Sequence, residues 1–475
     1  MKKNLFMVAA VALMAMVSCN KEEIINNEVE GGQVSDIVFS AELEQPGAPA
    51  AEQIPAAVQT KTSLGTTTGD VTSVNWVAGD KVKINGVEFS ATASGSRTDF
   101  TTTSSFTEAE TYYAVYPASA AGASDLTKVT IPASQNGTFA EAAISVAQSN
   151  TQSLHFKNVA SILKFQVPAA CSEVTIESTS NLAGTVSVKF TNERPEISSV
   201  TGGSKKITLT GSFATGKDYY VAVLPESHKF TIRIGGYLSK ASTTAVTTKR
   251  AVVSNLKALP APVQSTWVLA GVCNNWNSND SAKKFYVDES GFVLKNIAPN
   301  GEFKLVNAGS WKSTMVPAAA ENKWSLLKDN MANMKRVSGK YDIWISADGK
   351  EVCIVEAGKA RPSISNSNRQ YYIVLQHNWD WANRKLHAWI DNGSDATNVD
   401  LMGNWPGKSP DGTFDYDNNG YSYWAIPSSV YGKKLGIIFS KDGADQTQNK
   451  YYSNYCNDYR FWLGYTNNVN VANEF

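Results

Sequence analysis

Apolar and polar residues alternate along this chain in short runs, each closed by Gly, Asn, Asp or Pro. A two-residue period of that kind restricts the chain to strands. The runs include "VNWVAGDKVKI" (74–84), "YYAVYP" (112–117), "ILKFQV" (162–167), "KITLTGSF" (206–213) and "YYVAVLP" (219–225). Charged residues make up only 18% of the sequence, which suits polar turns better than long helices with paired charges. The expected fold class is therefore all-β, as several β-sandwich, immunoglobulin-like domains in tandem. At 475 residues the chain is too long for one compact domain, and about three are expected. Lys plus Arg equals Asp plus Glu at 43 each. With no excess positive field, nucleic acid is not an expected partner.

Residues 1–19, "MKKNLFMVAAVALMAMVSC", join a basic start to an apolar run too short to span a bilayer. The ending Met16-Val17-Ser18-Cys19 resembles a bacterial lipobox. The resemblance implies a lipoprotein signal peptide whose Cys19 becomes the lipid-bearing first residue. Several acyl chains, each buried methylene contributing ~0.8 kcal/mol, would anchor the protein to a membrane without a transmembrane helix. The "NKEE" that follows resembles the signal sending Bacteroidetes lipoproteins to the outer face of the outer membrane. Residues 20–38 are polar and are expected to form a flexible tether.

Eleven of the twelve tryptophans lie after residue 260; only Trp76 lies before it. "LPAPVQ" (259–264) marks the break, and "AGKARPSISNSNR" (357–369) marks a second. The segment 39–258 is read as a β-sandwich region of two subdomains without catalytic motifs. Its "TKTSL" (60–64), "VNWVAGDKVKI", "TYYAVYP", "IPASQNGTF" (131–139), "LHFKNVASILKF" (154–165) and "YYVAVLP" resemble the fimbrillin-like lipoproteins of Bacteroidetes. Members build fimbriae or serve as stalks, and a stalk fits a chain with two further domains.

The module 263–358 contains "WVLAGVCNNWN" (267–277), "GEFKLVNAGSW" (301–311) and "GKYDIWISADGKEVCIVEAG" (339–358), whose "ADGK" is a hairpin turn. In their order these motifs resemble a domain of the SusE/SusF-type surface starch-binding lipoproteins. The resemblance implies that Lys304, Trp311 and Trp276 meet sugar. Trp267 and Trp344 sit in apolar strands and are expected in the core. Trp276 is open to either reading. Trp311 and Trp324 follow polar turns and are expected to be exposed.

After the linker 359–369, the module 370–475 carries the strand Leu386-His387-Ala388-Trp389-Ile390. Successive strand side chains point to opposite faces, so Leu386, Ala388 and Ile390 are expected to be buried while His387 and Trp389 emerge together. Trp405 precedes Pro406-Gly407 and belongs at a strand end or in a loop. Rigid rings with polar groups beside them suit the C–H faces and hydroxyls of a sugar. Aromatic contacts add about 0.5–1.5 kcal/mol beyond the area they bury, and several modules raise affinity by avidity. The polar groups lie downstream, as Gln446, Thr447 and Gln448 after "LGIIF" (435–439).

His387-x-Trp389, Trp405-Pro406-Gly407, "LGIIF" and Gln446-Thr447 resemble the starch-binding modules of the twenty-sixth carbohydrate-binding family. There, early-strand aromatics and the W-P-G tryptophan cradle a curved α-1,4-glucan. His387 stands where the family usually has tyrosine, which weakens stacking and adds a pH-sensitive donor. The stretch 451–475 runs beyond the family pattern and either completes the sandwich or adds a second sugar surface. "DYDNNG" (415–420) fits the start of a calcium loop, but Ile426 occupies the position of the bidentate Glu, so a plain hairpin turn is preferred.

Cys171, Cys273, Cys353 and Cys456 form no C-x-x-C pair and no metal site, and no cofactor is expected. Cys273 and Cys353 could pair, or both could remain buried thiols. A glycosidase needs two carboxylates about 5–10 Å apart. Asp380, Asp391, Asp411 and Asp415 are available, yet no strand-end acid pattern accompanies them. The expectation is a non-catalytic surface lipoprotein that holds starch, maltooligosaccharides or other α-glucans near a glycan importer and amylases. The competing readings are a glycosidase and a fimbria-associated adhesin or structural protein that binds other glycans.

Overall fold

The structure is a computed structural model that describes residues 37–44, 63–68, 71–122, 127–314, 316–317, 321–329, 331–377, 383–416, 418–443, 445–446, 450–452 and 462–464. Cys19, the segment 1–19 expected to be a signal peptide and most of the expected tether 20–38 lie outside these residues, as do Thr447, Gln448 and Cys456. The described chain is all-β, with one four-residue α-helix at Phe139–Ala142 and a few 3-10 turns.

The expected sandwich at the start of the chain is instead a closed barrel. Phe39–Leu43 pairs in parallel with Ser153–Asn158 and antiparallel with Arg97–Thr101, joining two edges that local alternation leaves open. The ring is completed by Ser145–Ser149, Tyr112–Tyr116, Lys81–Ile84 and Val87–Ala91. Closure removes the unpaired strand edges that invite association with other chains. Fully buried Trp76 fills the interior, edge-on to Phe100, Tyr116 and Phe156 at 5.0–5.3 Å, and its Nε1 donates to the Ala41 carbonyl at 3.1 Å. Smaller sheets follow to Ala258, and one apolar core runs from Ile37 to Leu259 through the barrel and these sheets alike.

Glu44, just past the first strand, ties that strand to the end of the region. Its carboxylate accepts from Arg250 Nη1 at 2.8 Å, Arg250 Nη2 at 3.1 Å and Asn158 N at 3.0 Å. Burial pushes this carboxyl up, but the Arg250 guanidinium and the Asn158 amide outweigh burial and hold it below its ordinary value. A carboxyl depressed in the folded state contributes stability that is complete above its unfolded pKa and is lost as pH falls through the folded value. Glu44→Gln is therefore expected to lower the urea midpoint at neutral pH, with the gap from wild type closing below about pH 4. An equal gap at acid and neutral pH would refute the assignment.

In the middle module the ladder runs from Gln264–Gly271 through Lys284–Asp288, Gly291–Ile297, Tyr341–Ser346, Glu351–Glu356, Trp324–Asp329, Ser310–Thr314 and Gly301–Asn307, and returns to Gln264–Gly271. Trp267, Leu269, Phe285, Phe303, Leu305, Ile343 and Ile345 lie in the enclosed core. The "ADGK" segment is the expected hairpin turn, with Gly349 at φ +70°. Cys273 and Cys353 do not pair, and both are free thiols. Cys273 packs against the enclosed core, whereas Cys353 is buried on the opposite side of the sheet with Trp324 and Trp344. Burial pushes the Cys353 thiol up to about 12.

Two junctions are packed. At the first, the Tyr237 and Tyr286 rings lie 4.0 Å apart, and Arg233 pairs with Asp288 and with Glu177 at 3.2 Å. Burial opposes the Arg233 charge, but the two carboxylates more than offset it and hold its pKa above the ordinary value. At the second, Gln370 N donates to Trp324 O at 2.9 Å, Arg369 clamps Glu351 at 2.7 and 3.1 Å, and Val316 and Met331 pack with Tyr372, Val374 and Tyr421.

The last module places two sheets face to face. Tyr371–His377 and Asn419–Ile426 supply one side of the core, and Arg384–Ile390 and Leu435–Lys441 supply the other. Leu386, Ala388 and Ile390 are buried in that core, as the strand period predicts. Gly412–Tyr416 and Asn419–Ile426 pair as a hairpin.

Candidate functional site

The outward face of the second sheet in the last module collects the predicted rings. Directly paired residues of an antiparallel ladder project to the same side, so the pairings define three rows. Trp389 opposes Asp400 on one flank and Gly436 on the other, and Gly436 opposes Tyr451. His387 opposes Ile438. Farther along, Lys385 opposes Ser440, which opposes Gln446.

Trp405 enters this face from a loop. Its bond to Pro406 is cis, and Gly407 N donates to Asn404 O at 2.8 Å, closing a tight turn. Leu386 and Lys408 exchange two backbone bonds of 2.9 Å, which fasten the turn to the strand bearing His387. Gly407 is required there. It has φ +87°, and a Cβ would stand 2.1 Å from the Leu386 carbonyl oxygen.

The outcome is a row of four rings. Trp405 meets His387 nearly at right angles with centroids 5.9 Å apart, His387 tilts by 34° against Trp389 at 5.4 Å, and Trp389 meets Tyr451 edge-on at 5.9 Å. Trp405 is 42% exposed and Tyr451 is 50% exposed, whereas Trp389 retains only 8%. Trp389 thus lies on the predicted side of its strand but does not emerge from it: the indole is buried and forms a floor, not a free blade. Gly436 makes that possible, because a Cβ there would lie 2.2 Å from Trp389 Cε2. Gly436→Ala is therefore expected to lift the indole, increasing its quenching by acrylamide in a folded protein; unchanged quenching would refute this packing.

His387 Nδ1 lies 3.2 Å from the Gly403 carbonyl and 3.9 Å from Asp400 Oδ1. Gln446 is exposed on the hairpin whose turn brings Gly443 beside the Trp405 indole nitrogen. Thr447, the other predicted polar contact, lies outside the described residues. Sequence reasoning missed Gly436, Tyr451 and Lys434, which holds its Nζ 4.8 Å from the centre of the Tyr451 ring and also pairs with Asp391. The available signal was a glycine inside the apolar run "LGIIF", where a partner ring needs room.

In the middle module, Lys304 opposes Ala270, and Val306 opposes both Val268 and Trp311. Lys304 and Trp311 therefore share the outward face. Trp276 joins them, its ring 6.2 Å from that of Trp311. Trp276 is 36% exposed, and Trp311 is only half-exposed, less open than its position after a polar turn suggests. Trp276 has φ +59°, an uncommon backbone for a bulky residue, and its amide donates to Gly271 O at 2.8 Å. Asn274 braces the turn by accepting from Gly271 N at 2.9 Å and donating to Leu269 O and Asn277 O at 3.0 Å. Burial pushes the Lys304 ammonium below its ordinary value.

Trp324 does not belong to this face. It is fully buried on another side of the module, with its Nε1 donating to Pro362 O at 3.0 Å and the Arg361 guanidinium 5.5 Å from its ring. The expectation of exposure fails because the second side of its strand is also covered. Val293, Trp344, Cys353 and Val355 surround it, and the connection to the last module closes over it.

No protein family, curated protein or solved structure matches this chain.

Proposed function

We propose that this protein is a non-catalytic, lipid-anchored surface protein that binds starch or related α-1,4-glucans through two aromatic faces and holds them for separate degrading and importing machinery. In this reading the two C-terminal modules are the binding units, the middle one a sheet closed on itself where a sandwich was expected, the last a sandwich of two sheets. The region 39–258 is a fimbrillin-like stalk, and Cys19 carries the lipid at the outer membrane.

The observation that carries the reading is the row Trp405–His387–Trp389–Tyr451. It has two open rings at its ends, a sunken indole between them and Gln446, Lys385 and Asp400 on the same face. A sugar presents alternating C–H faces and hydroxyls, which need flat apolar surface and nearby polar groups together. The steps between neighbouring rings make the surface bent, and a bent surface suits the curved α-1,4 chain better than a flat β-linked one. The second face, with Trp276, Trp311 and Lys304, repeats the combination of two rings and a polar group.

Titration calorimetry of the full-length protein with maltoheptaose, cellohexaose and xylohexaose tests the assignment. The expected result is measurable heat with the maltooligosaccharide alone. Equal binding of all three would replace α-glucan with a broader glycan adhesin, and release of reducing ends during incubation would overturn the non-catalytic reading.

A further inference from the structure

The proposed glucan face extends past the tryptophans to a part of the chain that its family resemblance does not cover. Tyr451 belongs to Lys450–Tyr452, which pairs with Leu435–Lys441 on the side away from Arg384–Ile390. Its ring is fixed from two directions. Trp389 meets it at 84° with centroids 5.9 Å apart, and the Lys434 ammonium stands 4.8 Å from its centre. Lys434 is itself held by Asp391, at the end of the strand that carries His387 and Trp389. That carboxyl lies below its ordinary value because it accepts from Lys434 and from the Gly393 amide.

A ring held in this way yet 50% exposed has little left to lose on binding. A ligand that covers it meets an aromatic surface already ordered, so the association forfeits little rotamer entropy. The adjoining Lys434 ammonium, 47% exposed, offers a donor for hydroxyls beside the ring, while Asp391, its side chain only 8% exposed, holds that ammonium in place. Trp405 lies at the opposite end of the row, beyond His387, so one sugar cannot cover both open rings.

We propose that Tyr451, with Lys434 beside it, forms an outer subsite that takes a further glucose unit of a longer α-glucan and grades ligands by chain length. This rests on the glucan reading of the same face.

The test is calorimetry on the full-length protein carrying Trp276→Ala, which isolates the last module, with maltotriose and maltoheptaose as probes. Tyr451→Ala is expected to weaken maltoheptaose about fivefold and leave maltotriose unchanged, and Tyr451→Phe is expected to retain both. Trp405→Ala is expected to weaken both sugars. Equal loss of the two sugars in Tyr451→Ala would make Tyr451 a prop for Trp389 and overturn the subsite, as would no loss of either. If the protein with Tyr451 intact binds neither sugar, the glucan reading itself fails, an outcome distinct from either of those.

Discussion

Trp405→Ala is expected to weaken maltoheptaose binding by the last module about tenfold or more while leaving the thermal midpoint of the protein unchanged. The two halves of this expectation have separate physical causes. The indole is 42% exposed and makes an edge contact with His387, so truncation opens no cavity in the core. The turn that carries it is held by backbone bonds from Gly407 to Asn404 and between Leu386 and Lys408, and these survive the change. On the binding side, covering about half of an aromatic side chain removes on the order of 80–100 Å² of apolar area from water, contributing about 2 kcal/mol. A factor of ten in Kd corresponds to about 1.4 kcal/mol. Calorimetry in a Trp276→Ala background reads the affinity, and differential scanning calorimetry reads the fold. A folded variant with undiminished affinity would remove this face from the function.

The largest effect on stability is expected from Trp324→Ala, on the order of 3–5 kcal/mol. Its indole is fully buried, donates to Pro362 O and packs with Val293, Trp344, Cys353 and Val355. Arg361 stands 4.9 Å from the Trp344 ring and 5.5 Å from the Trp324 ring, so truncation also removes a surface that the connection 359–369 rests on. Denaturant unfolding should show a lowered midpoint, and limited proteolysis should show new cleavage within that connection. Trp324→Phe fills most of the volume but lacks the N–H, and it should fall between wild type and alanine. A connection no more sensitive to protease in the alanine variant would contradict the packing.

How far the sequence disclosed these features follows from the distance over which each is decided. Leu386, Ala388 and Ile390 separate from His387 and Trp389 by the strand period alone, a local property, and the structure puts them on the predicted sides. At Trp324 the expectation came from its place after a polar turn, and it misleads because both faces of that strand are covered by chain that is remote in sequence or beyond the next turn. Barrel closure was equally hidden. Alternation identifies strands but says nothing about which edges meet, and the seam between Phe39–Leu43 and Ser153–Asn158 joins residues over a hundred positions apart. Tyr451 was visible as an aromatic residue, but its place beside Trp389 depends on two ladders and on the missing side chain of Gly436.

Under the proposed glucan-binding function, the packed second junction bears on how a polysaccharide would be held. Because Gln370 bonds to Trp324, Arg369 clamps Glu351, and Val316 and Met331 sit against Tyr372 and Tyr421, the two C-terminal modules are splinted together and do not swing on a cord. A strand seated on one face would meet the other at an angle the protein has already chosen. The trajectory of the ligand, its bend and pitch, then becomes a criterion for simultaneous engagement, and a polymer that follows that path gains over one that must be deformed to do so.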